Sequence, residues 1–193
     1  MTDEILEIYI QQYIEAQQVP EVNIAWQGGE PTLMGLEFFQ KSIQLVEKYK
    51  KPGMQVSYTM QTNATQLDDE WGKFLKTNNF LIGISIDGPP EIHDRYRKDK
   101  GGRGSYGQVQ RGLDILKKHQ VDFNILCTVH AANGHHPLEV YRFFRDELEA
   151  GFIQFIAIVE RDNDSGFQEG TRLTNRSVKP RQYGQFLSAV FDE

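Results

Sequence analysis

The sequence predicts an α/β fold built on a parallel sheet, and three observations carry that prediction. Five apolar runs of strand length alternate with amphipathic helical stretches. Each strand-plus-helix unit takes roughly 30 residues, the length of a right-handed parallel crossover. Polar residues gather just past the strand ends, where parallel α/β folds bind their ligands. An open doubly wound sheet and a barrel both satisfy this periodicity.

The elements follow in order. A first helix is predicted over 3–17, where Ile5, Leu6, Tyr9, Ile10, Tyr13 and Ile14 share one face and Thr2-Asp3-Glu4 offers a cap and acids. Val22-Asn23-Ile24-Ala25-Trp26 reads as a short strand ended by Gly28-Gly29. A helix over 35–50, a strand over 54–61, a helix over 68–78 and a strand over 81–87 come next. After a long loop, a helix over 105–119 places Val109, Leu113 and Leu116 on one face. A strand over 121–129, a helix over 137–149 and a strand over 152–159 complete the regular pattern. The polar stretch 161–179 reads as a loop, and Pro180 introduces a last helix with Tyr183, Phe186, Leu187, Val190 and Phe191 apolar. The pattern opens on a helix and stops at one, so both ends read as cuts through a continuing series. Val22–Trp26 then becomes a sheet edge.

Composition narrows the function class. A hydrophobic share of 39% with 25% charged residues is that of a globular chain, and a net charge of -6 argues against general nucleic-acid binding. No apolar run approaches the roughly 18–20 residues of a membrane span. The start, Met1-Thr2-Asp3-Glu4, lacks the basic and then apolar layout of a signal peptide, so a cytoplasmic location and neither nucleic acid nor membrane as partner are expected. The one cysteine, Cys127, excludes an internal disulfide framework and any multi-cysteine metal site built from this chain alone. Its apolar neighbours, from Phe123 to Val129, make it a buried strand thiol.

The strand ends hold the candidate site. They read Gln27-Gly28-Gly29-Glu30-Pro31, then Gln61-Thr62-Asn63, then Ser85-Ile86-Asp87-Gly88-Pro89, then Thr128-Val129-His130 and Val159-Glu160-Arg161. Two glycines let backbone approach a ligand, and Glu30 is either a carboxylate for an ammonium group or a solvated acid in an ordinary turn. Gln61 and Asn63 share a face and could bind a peptide backbone, or cap a loop. The Ser85 hydroxyl could hold a carboxylate, while Asp87 reads as a turn former. In His93-Asp94-Arg95-Tyr96-Arg97 the adjacent His and Asp seldom converge on one point, so His93 is given a loop role. Arg97 is the better candidate, because a guanidinium grips a carboxylate through two parallel hydrogen bonds. Gly101-Gly102-Arg103-Gly104 fits no nucleotide fingerprint, and His135-His136 lack a third metal ligand. No catalytic acid, base or nucleophile is assigned.

The run Ala25-Trp26-Gln27-Gly28-Gly29-Glu30-Pro31-Thr32-Leu33 resembles the cofactor-contacting segment of radical S-adenosylmethionine enzymes. The wider sequence is most similar to the anaerobic sulfatase-maturating enzymes. That likeness continues through Met60-Gln61-Thr62-Asn63, Phe80 to Pro89, His93-Asp94 with Tyr96-Arg97, Val121 to Leu126 and Phe152 to Ile156. It covers residues 1–160 in order.

The resemblance implies a partial (β/α) barrel of the radical S-adenosylmethionine type, with strands two to six present and the first strand and cluster loop missing. Residues 1–160 would form that incomplete barrel, and 161–193 a loop and helix leading toward a C-terminal auxiliary-cluster domain. S-Adenosylmethionine would be bound by Gln27, Gly28, Gly29 and Glu30 near its ammonium, by Ser85 and Arg97 at its carboxylate, and by the Val159 backbone near its adenine. Gln61 and Asn63 would lie nearer the substrate. The implied chemistry is reductive cleavage of that cofactor at a 4Fe–4S cluster, hydrogen abstraction from Cβ of a Cys or Ser in a client sulfatase, and oxidation to formylglycine. A flavodoxin or ferredoxin would donate the electrons. The family's Cys-x3-Cys-x2-Cys loop is absent from these residues, so the chain by itself is expected to be inactive. A maturase of another client peptide and a cluster-free peptide- or nucleotide-binding module are the alternatives.

Overall fold

The computed structural model describes residues 1–193. Its helices are α1 (Asp3–Ala16), α2 (Leu36–Tyr49), α3 (Asp69–Thr77), α4 (Pro90–Tyr96), α5 (Tyr106–Lys118), α6 (Pro137–Arg142) and α7 (Pro180–Asp192). Its strands are β1 (Glu21–Trp26), β2 (Gln55–Thr62), β3 (Phe80–Ser85), β4 (Asp122–Val129) and β5 (Ile153–Ala157), in one sheet of order β1-β2-β3-β4-β5. β1 pairs parallel to β2, with Val22 opposite Val56 and Trp26 opposite Met60. β4 pairs parallel to β5, with Cys127 opposite Phe155. Sequential neighbours that pair in parallel need a covering crossover each time, and the helices supply it.

The chain divides into two compact units. The first takes Met1–Thr62, Gln66–Ile82 and Ile115–Asp122. Within it α1 starts where Thr2 accepts a hydrogen bond from the Ile5 amide, and buries Leu6, Ile10 and Ile14 at helical spacing. α2 buries Phe39, Ser42, Leu45 and Val46 in the same way, and α3 begins at Asp68, whose carboxylate caps the amides of Glu70 and Trp71. Trp26 meets Phe38 and Phe39 edge to face, and Phe39 meets Trp71, so four rings close the core. The β1 edge is not bare, because the Tyr13 hydroxyl donates to the Asn23 carbonyl at 2.8 Å.

The second unit takes Asn63–Thr65, Gly83–Asp114 and Phe123–Glu193. Along β4 the alternate residues Ile125, Cys127 and Val129 are fully buried, which puts Thr128 on the opposite face. By the same alternation Ile84 and Ile86 are buried and Ser85 faces the other way. α7 docks through Phe186 against Phe155, and the Tyr183 hydroxyl donates to the Phe155 carbonyl at 2.9 Å.

Three elements differ from the sequence reading. The loop expected before residue 105 contains α4, started by proline at its first turn. The helix expected over 137–149 relaxes to a π-turn at Phe143–Glu147, which lets the adjacent Phe143 and Phe144 both turn inward. The loop over 161–179 is tied by antiparallel bridges, Arg161 with Leu173 and His130 with Ser177.

Candidate functional site

In the first unit the end of β1 is built from backbone first. Gly28 and Gly29 have φ of 115° and 55°, a region L side chains rarely adopt, while a Cβ at either would meet nothing within 4 Å. Conformation, not crowding, therefore demands glycine, and the peptide groups stay uncovered. Glu30 caps the 3-10 turn Pro31–Met34. Its Oε1 accepts from the Thr32 amide at 3.0 Å, the Thr32 hydroxyl at 2.7 Å and the Thr62 hydroxyl at 2.6 Å. So Glu30 is neither a solvated acid nor a loose one: it fastens the turn after β1 to the last residue of β2. Gln27 is exposed and Gln61 half-buried.

In the second unit the site is organised around Asp87. The sequence reading makes Asp87 a turn former, but its side chain is only 2% exposed and carries an ion pair. Arg97 Nε donates to Oδ2 at 2.6 Å and Nη2 to Oδ1 at 3.0 Å, the fork geometry that suits a carboxylate. Thr128 adds two donors to Oδ1, its amide at 2.9 Å and its hydroxyl at 2.6 Å, and accepts from Arg97 Nη2 at 3.2 Å. Burial pushes the Asp87 carboxyl up, but the Arg97 charge and the hydrogen bonds from Arg97 and Thr128 outweigh it and hold it below the ordinary range. The bidentate grip expected of Arg97 thus exists, on a partner inside the chain. The Nη1 donors are the ones left over, since Nη1 donates to no atom of the protein.

Two buried residues brace this pair. Asn133 donates from Nδ2 to the carbonyls of Asp87 and Thr128, both at 2.9 Å, and accepts from the His130 amide at 2.8 Å. His93, far from a loop residue, sits on α4 with no exposed surface. Its Nδ1 accepts from the Asp87 amide at 3.3 Å, so Nε2 carries the proton toward Ser105 Oγ at 3.1 Å, and Ser105 donates onward to the Arg97 carbonyl at 2.9 Å. Burial lowers the His93 pKa to about 4, which keeps the ring neutral at neutral pH. Sequence adjacency missed Asn133 and His93. The one available signal for Asp87 was an acid just past a strand end with a basic residue ten positions on.

A cavity of about 360 Å³ opens beside this pair, lined by Asn63, Ser85, His93, Tyr96, Arg97 and Ser105 among others. It brings together three of the expected site residues, Asn63, Ser85 and Arg97. Val159, half-exposed after β5, does not line it. Of its charged lining, Arg97 is paired with Asp87 and Asp99 with Arg103, which leaves Lys98 as the excess cation. The cavity therefore favours an anion.

The radical SAM superfamily profile matches residues 2–144. The chain belongs to the radical SAM superfamily. Among its radical SAM relatives, the serine-type anaerobic sulfatase-maturating enzyme of Bacteroides thetaiotaomicron is 43% identical, over 100% of this chain and 48% of the relative. The cysteine-type anaerobic sulfatase-maturating enzyme of Clostridium perfringens is 40% identical, over 100% of this chain and 50% of the relative. The solved structure of native anSMEcpe with bound AdoMet superimposes with a TM-score of 0.91 at 38% identity, over 100% of this chain and 50% of that one. The sheet is thus the α/β partial barrel that the resemblance implies, and not the open doubly wound sheet that periodicity also allows. The chain spans about half the length of the curated relatives it matches.

The radical SAM cofactors fit these residues unequally. No group of three or more His, Cys, Asp or Glu side chains could hold a metal. Cys127 is fully buried, and burial raises its thiol pKa well above the ordinary value, the opposite of a thiolate ligand. These residues do not hold a 4Fe–4S cluster. The donor set at the cavity, a guanidinium edge and a serine, does suit the carboxylate of S-adenosylmethionine.

Proposed function

We propose that residues 1–193 are the S-adenosylmethionine-binding part of a peptide-modifying radical enzyme that oxidises a Cys or Ser of a client sulfatase to formylglycine. The observation that carries the reading is end-to-end similarity, at 43% and 40% identity, to sulfatase-maturating enzymes of serine and cysteine type alike. Both client residues fall within the proposal for that reason.

The chain's own residues bind and orient. Arg97, through Nη1, and Ser85 receive the cofactor carboxylate; the backbone of Gly28 and Gly29 and the carboxylate of Glu30 serve its ammonium, with Gln27 beside them. The Val159 backbone contacts the adenine, and Gln61 and Asn63 address the client peptide. Bound S-adenosylmethionine supplies the radical chemistry, and the protein supplies placement and exclusion of water. The electron donor is a flavodoxin or ferredoxin, and the compartment is the cytoplasm; no helix is long and apolar enough to cross a membrane.

The test is a chimera in which residues 1–193 replace the matching half of the Clostridium perfringens relative. Incubated with cofactor, reductant and Cys- or Ser-containing sulfatase peptides, it should release 5′-deoxyadenosine together with an aldehyde-bearing peptide. A folded chimera that loads iron and sulfide but makes neither product would refute the proposal.

A further inference from the structure

The Arg97–Asp87 pair poses a question that its geometry answers. A partly exposed arginine can give the donors it does not spend inside the protein to water or to a ligand. Arg97 spends three N–H groups, on Asp87 and Thr128, and keeps both Nη1 donors. Its partner is far more deeply buried than it is, at 2% against 26% side-chain exposure. Asp87 in turn is held from three further directions: Thr128 from β4, the Asn133 amide on its carbonyl, and its own amide on His93. The result is a guanidinium clamped in plane, on a side chain that lines the same cavity as Ser85.

We infer that Asp87 is a positioning residue for S-adenosylmethionine, with Thr128 as its accessory: the carboxylate fixes the plane of Arg97 so that Nη1 meets the ligand carboxylate. The inference rests on the assignment of Arg97 to that carboxylate. Two consequences follow. Charge neutralisation by Asp87 keeps the cavity from holding an adventitious anion too tightly. In addition, the rotamer freedom of a long side chain is lost on folding and not on ligand binding, which is where preorganisation raises affinity.

The experiment compares two ligands on the 193-residue chain by equilibrium dialysis. S-Adenosylmethionine carries the carboxylate; 5′-methylthioadenosine keeps the nucleoside and lacks the aminocarboxylate. Wild type should prefer the former, and Arg97→Gln should lose that preference. Asp87→Asn should weaken S-adenosylmethionine by about tenfold or more while leaving 5′-methylthioadenosine within about twofold, because a misaligned guanidinium costs a charge-assisted hydrogen bond and nothing at the adenine. Thr128→Val, which keeps the backbone amide and the side-chain shape, should show a smaller loss of the same selectivity. Should Asp87→Asn weaken both ligands through misfolding, Thr128→Val decides alone. Unchanged selectivity in Asp87→Asn, or in Thr128→Val in that case, overturns the positioning role. Unchanged selectivity in Arg97→Gln, or none in wild type, overturns instead the underlying assignment of Arg97.

Discussion

Arg97 Nε lies 2.6 Å from Oδ2 of Asp87, and that carboxylate is almost wholly buried. Two residues ten apart, from a strand end and a helix end, thus form the one ion pair at the cavity whose acid is out of water. Exposed pairs elsewhere, such as Lys118 with Asp69 or Arg172 with Asp162, contribute little by comparison.

Breaking the pair from one side should therefore be costly. Asp87→Ala leaves a cation and two Thr128 donors without their acceptor, and should lower stability by about 3 kcal/mol. Adding Arg97→Met to it should restore a good part of that loss, since the stranded charge is gone. Urea denaturation of the four chains of this double-mutant cycle gives the coupling directly. A coupling near zero would show the pair to be incidental.

Stability should also fall on mild acidification, and His93 sets the window. Its folded pKa, about 4, lies below the ordinary 6.5 because burial disfavours the charged ring. Between those values the unfolded chain binds a proton that the folded chain refuses, so stability rises with pH across that range and is lost as pH falls through it. The shift corresponds to about 3 kcal/mol. His93→Gln, which can still bridge the Asp87 amide and Ser105, should flatten the pH dependence between 4 and 6.5. His130, depressed in the same direction by its own burial, leaves a residual slope. An unchanged slope in melts of the variant would rule out His93 as the titrating group.

Gly112 on α5 is a packing requirement of the turn at Asn63–Thr65. A Cβ there would stand 2.1 Å from the Ala64 carbonyl oxygen and 2.9 Å from the Ala64 Cβ. Ala64 already holds a positive φ of 59° in the turn where Asn63 accepts from the Thr65 amide and hydroxyl. Backbone on one side and a strained turn on the other leave no cheap relief, so Gly112→Ala should cost about 2 kcal/mol or more despite its gain in helix propensity. Thermal melts check it; a stabilised Gly112→Ala would mean the turn can move.

Much of this architecture is legible in the sequence. The stripes of α2 and α5 and the apolar runs of β3 and β4 carry the periodicity of their elements, and Pro180 marks α7 to the residue. The short α4 was not legible, because Gly88-Pro89-Pro90 reads as loop chemistry and seven residues are too few to show a period. Nor was the π-turn, since Phe143 and Phe144 look like one inward and one outward residue of an ordinary helix. At the site, residue types at strand ends named Asn63 and Ser85, and the chemistry of a guanidinium named Arg97; the three share a cavity. What they could not show is which partner takes each donor. Thr128 and Asn133 are remote in sequence from Asp87 and Arg97, so their convergence on that pair is tertiary information, and His93 gives no sign in its neighbours that it is buried.

The most direct test of the account is the affinity of the chimera for S-adenosylmethionine when Arg97 becomes lysine. Lysine can still neutralise Asp87, but a single ammonium cannot serve Asp87 and a ligand through two edges. Arg97→Lys should weaken binding by about 30-fold or more, with the iron–sulfur absorption and the melting temperature close to those of the parent. Parental affinity in Arg97→Lys would contradict it, because the donors that set Arg97 apart would then touch no cofactor.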